Sequence, residues 1–206
     1  MDDDKIRRGK PSTHIKFGES TAVLAGNSLL TLAFEMIGHS SYAIKEKQKV
    51  EIIKELAKFS GHTGIAGGQY LDLSFENKKK NFKQILNMQK KKTGKLFNFC
   101  CYAVGVIANK NKKEKLFLSH LGEDIGLLFQ LADDFMDVKG TSKLAGKPTK
   151  KDKKKGKSTL ISLVGYNKAL NFAEQLKKNI LRKLVKRGKK AKDLINIVEF
   201  ILERKY

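Results

Sequence analysis

Three aspartates interrupt an apolar segment of the chain at residues 129–137. Asp133, Asp134 and Asp137 are spaced so that a helix projects all three from one face, with roughly 5–6 Å between neighbouring Cβ atoms. Like charges this close favour a hard divalent cation, and Mg²⁺ commonly binds one or two carboxylates while water and substrate phosphates complete its coordination. The cluster therefore predicts a diphosphate held through metal, with a solvated acidic helix edge as the alternative.

Two arginines near the start of the chain could bind phosphate directly. Arg7 and Arg8 follow Asp2 closely, so this segment offers a carboxylate for metal and guanidinium groups for bidentate contacts with phosphate. Taken alone, the same composition is also typical of a disordered, charged terminus.

Three lysines lie in patterns that suit an anion. Lys92 with Thr93 could donate to phosphate, although an exposed lysine on a lysine-rich surface is the simpler interpretation. Lys147 and Lys157 each follow a glycine, which lets the backbone approach phosphate while the lysine supplies a point charge. The segment around Lys157 is not a P-loop, because lysine stands at position 151 where the first glycine belongs.

The remaining reactive side chains show no catalytic pattern. The four histidines lack the spacing of metal ligands. Cys100 and Cys101 are neighbours in an apolar segment without an evident base, and neighbours on a helix cannot easily form a disulfide. We expect two reduced core cysteines, which is consistent with a cytoplasmic location.

The chain is strongly basic, with 43 lysines and arginines against 21 acidic residues and a formal charge of +22. Such a charge ordinarily indicates a nucleic-acid or anionic-membrane partner. The excess is mostly lysine in short clusters, without the interleaved aromatic residues that stack on bases. We therefore expect no nucleic-acid partner. A basic helical nucleic-acid binder, with affinity that falls steeply with salt, stays open as an alternative.

The elements that must position these side chains are predicted to be helices. The 206 residues include two prolines and no tryptophan, and apolar residues recur at spacings of three and four, which favours one all-α domain over residues 1–206. The predicted helices cover about residues 18–38, 47–65, 82–107, 114–138, 158–185 and 191–204.

Some segments carry more specific expectations. Residues 18–38 are apolar almost all round, which predicts a helix buried among others. Glycines at 64–68 indicate a close backbone contact or a helix end, the pattern of the third helix breaks at 92–94, and residues 139–157 are expected to form a mobile loop. No apolar run reaches the length of about 18 residues that a membrane span needs, and the acidic start is unlike a signal peptide.

Short motifs follow one another in order along nearly the whole chain. They comprise residues 2–14, 17–20, 24–30, GGQYLDL at 67–73, KTGKL at 92–96, 125–137, 146–147, 152, GKST at 156–159 and 200–205. In content and order these motifs resemble the trans-isoprenyl diphosphate synthases, and most closely the bacterial-type farnesyl diphosphate synthases. The resemblance implies an isoprenoid-synthase-type all-α bundle with a central pocket.

The resemblance also implies a reaction. An allylic diphosphate, dimethylallyl or geranyl, is condensed with isopentenyl diphosphate to farnesyl diphosphate in a Mg²⁺-dependent step, in which metal and lysine stabilise the charge on the leaving diphosphate. Members of the family form homodimers, so we expect a homodimer without a membrane span.

Residue roles follow from the matched motifs. The resemblance implies that Asp133 ligates Mg²⁺, that Asp134 and Asp137 ligate it or orient its water, and that Asp2 is the remaining ligand of the first aspartate-rich motif. The implied substrate-binding residues are Arg7, Lys92 and Lys147 for the allylic diphosphate, Arg8 for isopentenyl diphosphate, Thr93 and Gln130 beside the reacting carbons, and Lys157. Of these, Lys92, Thr93 and Gln130 are expected to be catalytic, together with Asp133 and Asp134.

The chain departs from the family pattern at its start. The similarity begins inside the first aspartate-rich motif, so the leading aspartates and the preceding Gly-Lys-x-x-Arg clamp for isopentenyl diphosphate, with the N-terminal helices that carry it, have no counterpart. Lys150 stands where the family has glycine, and Leu160 and Ile161 replace Tyr-Pro. We expect a truncated form of a longer protein; the alternative is a degenerate, non-catalytic subunit that binds diphosphates without turnover.

We predict little or no condensation by residues 1–206 alone, because half of the metal site and the isopentenyl diphosphate clamp are missing. Incubation with geranyl diphosphate, isopentenyl diphosphate and Mg²⁺, followed by product analysis, checks this. A form extended upstream by the missing motifs should turn over. Robust activity of the short form would contradict the account of the missing residues.

Overall fold

Helices make up nearly all of the regular structure in the computed structural model, which describes residues 3–39, 41, 43–139 and 157–204. The predicted all-α class is confirmed. The helices are α1 (Thr13–Phe17), α2 (Glu19–Gly38), α3 (Glu46–Ser60), α4 (Ile65–Phe75), α5 (Phe82–Gln89), α6 (Lys95–Ile107), α7 (Lys112–Lys139), α8 (Leu160–Val164), α9 (Tyr166–Val185) and α10 (Lys192–Glu203). A short antiparallel hairpin, β1 (Ile6–Arg7) and β2 (Lys10–Pro11), precedes them.

Helix α7 supplies much of the hydrophobic core. Its buried residues Leu121, Ile125, Leu128, Leu131 and Phe135 recur at spacings of three and four, which places them along one stripe. Helices α6, α9 and α10 pack against α7. The apolar period that predicted this helix therefore also identifies its buried side.

The predicted third helix is divided by a π-helical turn. Helix α5 ends at Gln89, the turn spans Lys90–Gly94, and α6 begins at Lys95. A π turn adds a residue to the helical repeat and is frequent at functional sites. The break that the sequence pattern shows at residues 92–94 thus marks a real change of helical geometry.

Two glycines allow neighbouring helices to touch this turn. A Cβ added to Gly68 on α4 would lie 2.2 Å from the backbone nitrogen of Lys92, and one added to Gly126 on α7 would lie 2.8 Å from Cα of Gly94. Neither position has room for a side chain. The glycines at 64–68 therefore serve close backbone contact, and they open α4, a helix that the sequence did not predict.

Helix α2 has the predicted apolar composition without the predicted burial. None of its residues is buried, and Leu24 and Leu29 are 64% and 67% exposed. Composition shows that a helix is apolar but cannot show what covers it. Helix α2 is also long and apolar enough to cross a membrane, contrary to the sequence expectation; length and composition alone are weak evidence for a span.

The two cysteines are free, as expected, but they do not lie in the core. Cys100 is exposed on α6 and Cys101 is partly buried, because the apolar run of α6 reaches the surface. Burial raises the pKa of the Cys101 thiol to about 11, with a further contribution from Cys100. The thiol is therefore protonated at neutral pH, and a protonated thiol is a weak nucleophile.

The predicted fifth helix is interrupted at Gly165. Its φ of 83° lies in the left-handed region that glycine adopts without strain, and it separates α8 from α9. Thr159 caps α8 by accepting a hydrogen bond from the backbone nitrogen of Ser162. The predicted loop at 139–157 falls mainly on residues 140–156, which lie outside the described residues.

We predict that Gly68→Ala lowers the free energy of unfolding by about 1–3 kcal/mol, because the new methyl group displaces the backbone of the π turn. Urea denaturation measures the change. Gly26→Ala on α2 is the matched control, since an added Cβ there meets nothing within 4 Å and alanine favours the helix by up to about 1 kcal/mol. Equal effects of the two substitutions would contradict the close contact.

Candidate functional site

A chain of hydrogen bonds joins the π turn to α7. Thr93 donates through Oγ1 to Oε1 of Gln130 at 2.6 Å, and Gln130 donates through Nε2 to Oδ1 of Asp134 at 2.9 Å. Gln130 and Asp134 lie one turn apart on the helix. The structure therefore brings three of the predicted site residues into direct contact.

Asp134 is a buried carboxylate whose two oxygens both accept amide hydrogen bonds. Its second oxygen, Oδ2, accepts from Nε2 of Gln89 at 2.7 Å, and the two residues are 4% and 3% exposed. Burying a charge is tolerated only where donors replace the lost water. Gln89, which no sequence motif indicated, supplies one of these donors from the last residue of α5.

Lys92 and Lys157 meet at a second buried carboxylate, that of Asp72. Lys92 Nζ lies 2.6 Å from Oδ2 of Asp72, and Lys157 Nζ lies 3.8 Å from the same oxygen. Asp72 is 5% exposed and lies on α4. It lies in a motif that carried the resemblance, but its contact with two lysines was not foreseen, because the three residues are distant in sequence.

A small cavity joins these groups. It has a volume of about 40 Å³, and its walls include Asp72, Gln89, Lys92, Gln130, Asp134 and Lys157. A larger open groove of about 1050 Å³ lies along α7 and α9 beside Phe117 and Arg182, and its walls contain none of the predicted site residues. Chemistry therefore identifies the smaller cavity as the candidate site.

Asp133 is partly exposed and is bound by Arg204. Nη2 of Arg204 lies 2.5 Å from Oδ1 of Asp133 and also donates to the carbonyl oxygen of Phe129 at 3.2 Å. The guanidinium group stacks 3.9 Å from the centre of the Phe129 ring. Sequence spacing gave no signal for this contact, although Arg204 lies in the last matched motif.

The α7 carboxylates have the donor chemistry that Mg²⁺ requires. Asp137 is 8% exposed and lies one turn after Asp133. Within the described residues, no three His, Cys, Asp or Glu side chains stand close enough to hold an ion by themselves. Mg²⁺ usually binds through one or two carboxylates together with substrate phosphates, so these residues fit a metal that binds with a diphosphate.

The structure shows no contact between this group and Arg7 or Arg8, and two further predicted residues are not described. Arg7 lies in β1 and Arg8 at the hairpin turn with φ of 51°, and both are exposed. Asp2 and Lys147 lie outside the described residues. The phosphate-binding roles of Arg7, Arg8 and Lys147 and the metal-binding role of Asp2 stay predictions.

Glu123 pairs with the first residue of the π turn and with the residue directly after it. Its carboxylate lies 2.6 Å from Nζ of Lys95 and 3.4 Å from Nζ of Lys90. Burial acts to raise the pKa of Glu123, but hydrogen bonds and charge from Lys95 and Lys90 outweigh it and hold that pKa below its ordinary value. Glu123 and Gln130 of α7 thus bind the turn itself, whereas Asp134 binds Gln89 directly before it.

Comparison with known proteins identifies the family of this chain. The family model for polyprenyl synthetases matches residues 1–200. Geranylgeranyl pyrophosphate synthase 4 of Arabidopsis thaliana is 38% identical over the whole chain, and the chain spans 56% of that relative's length. Farnesyl diphosphate synthase of Escherichia coli is 34% identical over 99% of the chain, which spans 70% of that protein.

Solved structures show the same fold. A geranyltransferase from Helicobacter pylori, crystallised with magnesium and isoprenyl diphosphate, superposes with a TM-score of 0.85 at 32% identity, over 98% of this chain and 66% of that protein. The fold and the matched sequence are those of the isoprenyl diphosphate synthases. The chain belongs to the polyprenyl synthetase family.

We predict that acid weakens the hold of Glu123 on the π turn. Because the folded-state pKa lies below the unfolded value, the stabilisation is present above the unfolded pKa and is lost as pH falls through the folded one. Urea denaturation between about pH 6 and pH 3 should show a smaller loss of stability for Glu123→Gln than for the unchanged chain. Glu174→Gln, on the exposed side of α9, is the control; equal pH dependence of all three proteins would contradict the assignment.

Proposed function

We propose that the protein is a Mg²⁺-dependent short-chain prenyltransferase that condenses dimethylallyl or geranyl diphosphate with isopentenyl diphosphate to give farnesyl diphosphate. The observation that carries this proposal is the hydrogen-bonded series Thr93, Gln130 and Asp134 beside the paired Lys92 and Lys157. The names and bound groups of the similar proteins support the substrate class.

In this proposal Lys92 and Lys157 bind the diphosphate of the allylic substrate. Their ammonium groups already lie close to one acceptor oxygen of Asp72, so two positive charges are held side by side before substrate arrives. As the bond from carbon to diphosphate oxygen breaks, negative charge grows on the leaving group. Preorganised cations stabilise that charge without having to move.

Thr93 and Gln130 are proposed to face the allylic carbon. The Thr93 hydroxyl donates its hydrogen to Gln130, which leaves the lone pairs of the Thr93 oxygen for an electron-poor centre. Gln130 is in turn held by Asp134, so both oxygens stay oriented. Their partial negative charge would stabilise the cation that isopentenyl diphosphate attacks, and either could assist removal of the proton lost afterwards, which the released diphosphate accepts.

The α7 carboxylates complete the proposed site. Asp133, with Asp134 and Asp137, would hold Mg²⁺, which when bound supplies further positive charge at the leaving diphosphate. Arg204 occupies one oxygen of Asp133 in the present structure, so this ion pair must open or be shared for that oxygen to ligate.

Three further statements about the whole protein are proposals. We propose a cytoplasmic location and no nucleic-acid partner, both from the sequence. We also propose a homodimer, which the exposed apolar surface of α2 supports because apolar patches of this kind commonly lie at interfaces. A non-catalytic subunit that binds diphosphates is the second candidate, favoured by the ion pair in which Arg204 already occupies an oxygen of Asp133.

We predict that Asp133→Asn weakens Mg²⁺-dependent binding of geranyl diphosphate to residues 1–206 by at least about tenfold, because a carboxylate ligand is lost. Calorimetric titration measures the affinity. Asp124→Asn is the matched control, since Asp124 lies on the same helix but pairs with Lys183 beside the large groove. In a form extended upstream, Asp133→Ala should lower turnover by orders of magnitude while the fold is kept.

Each outcome of this experiment has a meaning. Equal affinities of the Asp133→Asn and Asp124→Asn proteins would refute the metal assignment. Tight binding without turnover in the extended form would favour the non-catalytic subunit. Salt-sensitive binding of duplex DNA that is indifferent to Asp133→Asn, with no diphosphate binding, would favour the nucleic-acid binder instead.

A further inference from the structure

We infer that Gln89 is a positioning residue, which orients the carboxylate of Asp134 for cation binding. Gln89 is the last residue of α5 and lies directly before the π turn. No motif in the sequence assigns it a role. This inference rests on the proposed function, because Asp134 belongs to the carboxylates proposed to hold metal.

The amide nitrogen of Gln89 restricts the plane of the Asp134 carboxylate. One carboxylate oxygen accepts from Gln130 and the other accepts from Gln89, at 2.9 and 2.7 Å. A carboxylate held at one oxygen can still turn about its terminal bond, whereas donors at both oxygens fix it. An amide donor also leaves the carboxylate its full negative charge, which a cation ligand needs.

The amide oxygen of Gln89 is a buried acceptor. Oε1 has no hydrogen-bond partner within the described part of the chain, although buried polar atoms are almost always paired. The adjoining cavity of about 40 Å³ has room for an ordered water, and Lys92 and Lys157 line it as well. A water in this cavity would donate to Oε1 and accept from a lysine, which would hold the amide in the orientation that points its nitrogen at Asp134.

The chemistry of the side chain provides a sharp set of variants. Leucine has a similar volume but neither donates nor accepts, and glutamate has the same shape but replaces the donor with a second negative charge. Histidine keeps a ring N–H that can donate to Asp134 and a second nitrogen that can accept. Comparison of the three substitutions therefore separates donation to Asp134 from the filling of space.

The experiment measures binding of inorganic pyrophosphate to residues 1–206 as the Mg²⁺ concentration is varied. We expect Gln89→Leu and Gln89→Glu to raise the Mg²⁺ concentration for half-maximal binding about tenfold, which corresponds to the loss of one hydrogen bond to a charged group. At saturating Mg²⁺ the pyrophosphate affinity should stay within about twofold, because the lysines are unchanged. Gln89→His should restore most of the Mg²⁺ response.

Asn87→Leu, an exposed position on the same helix, is the control and should leave both quantities unchanged. An unchanged Mg²⁺ response in Gln89→Leu, or parallel losses of Mg²⁺ response and saturated affinity without rescue by histidine, would overturn the positioning role. Asp133→Asn in the same assay distinguishes failure of this inference from failure of the proposed function. If Asp133→Asn abolishes the Mg²⁺ response while the Gln89 variants leave it unchanged, only this inference fails. If neither Asp133→Asn nor the Gln89 variants change the Mg²⁺ response, or if the unchanged chain does not bind pyrophosphate, the proposed function fails too.

Discussion

The contact between the π turn Lys90–Gly94 and α7 is the constraint on which the candidate site depends. The backbones of the turn and α7 meet there because Gly126 and Gly94 carry no side chains. Gly68 likewise allows the backbone of α4 to contact the turn at Lys92. The turn is then fixed by polar contacts, in which Glu123 pairs with Lys90 and with Lys95 directly after the turn, and Gln130 accepts from Thr93. A regular α-helix through these residues would rotate Lys92 and Thr93 relative to Gln89, so the additional residue of the π turn sets which of them face the cavity.

The two buried carboxylates that line this cavity are satisfied in different ways, one by cations and the other by neutral amides. Asp72 gathers Lys92 and Lys157, whereas Asp134 accepts from the amides of Gln89 and Gln130. Had lysine replaced either amide, a direct ion pair would cancel charge that a substrate or cation could otherwise use. Amide donors satisfy a buried carboxylate without cancelling the negative charge that it needs to bind a cation. This explains why glutamines stand here in a chain so rich in lysine.

Local patterns in the sequence predicted what depends on helical geometry and left unpredicted what depends on packing. Asp133, Asp134 and Asp137 were recognised because their spacing alone places them on one helix, and the break at residues 92–94 was visible in the apolar pattern. The contacts of Asp72 and Arg204 join residues far apart in the chain, so no spacing rule reports them. The prediction that α2 is buried was wrong for the same reason, since composition does not reveal what a helix packs against.

The family resemblance identified some of the site residues that local sequence patterns missed, but not all of them. Thr93 and Gln130 were assigned through matched motifs, and the structure shows the hydrogen bond that links them. Gln89 lies outside those motifs, yet it is more deeply buried than either. A residue that acts by orienting another needs only the right donor at the right place, and several side chains can provide it. Such positions are therefore found from contacts and burial, whereas residues that touch the reacting atoms are constrained in type and can be found from motifs.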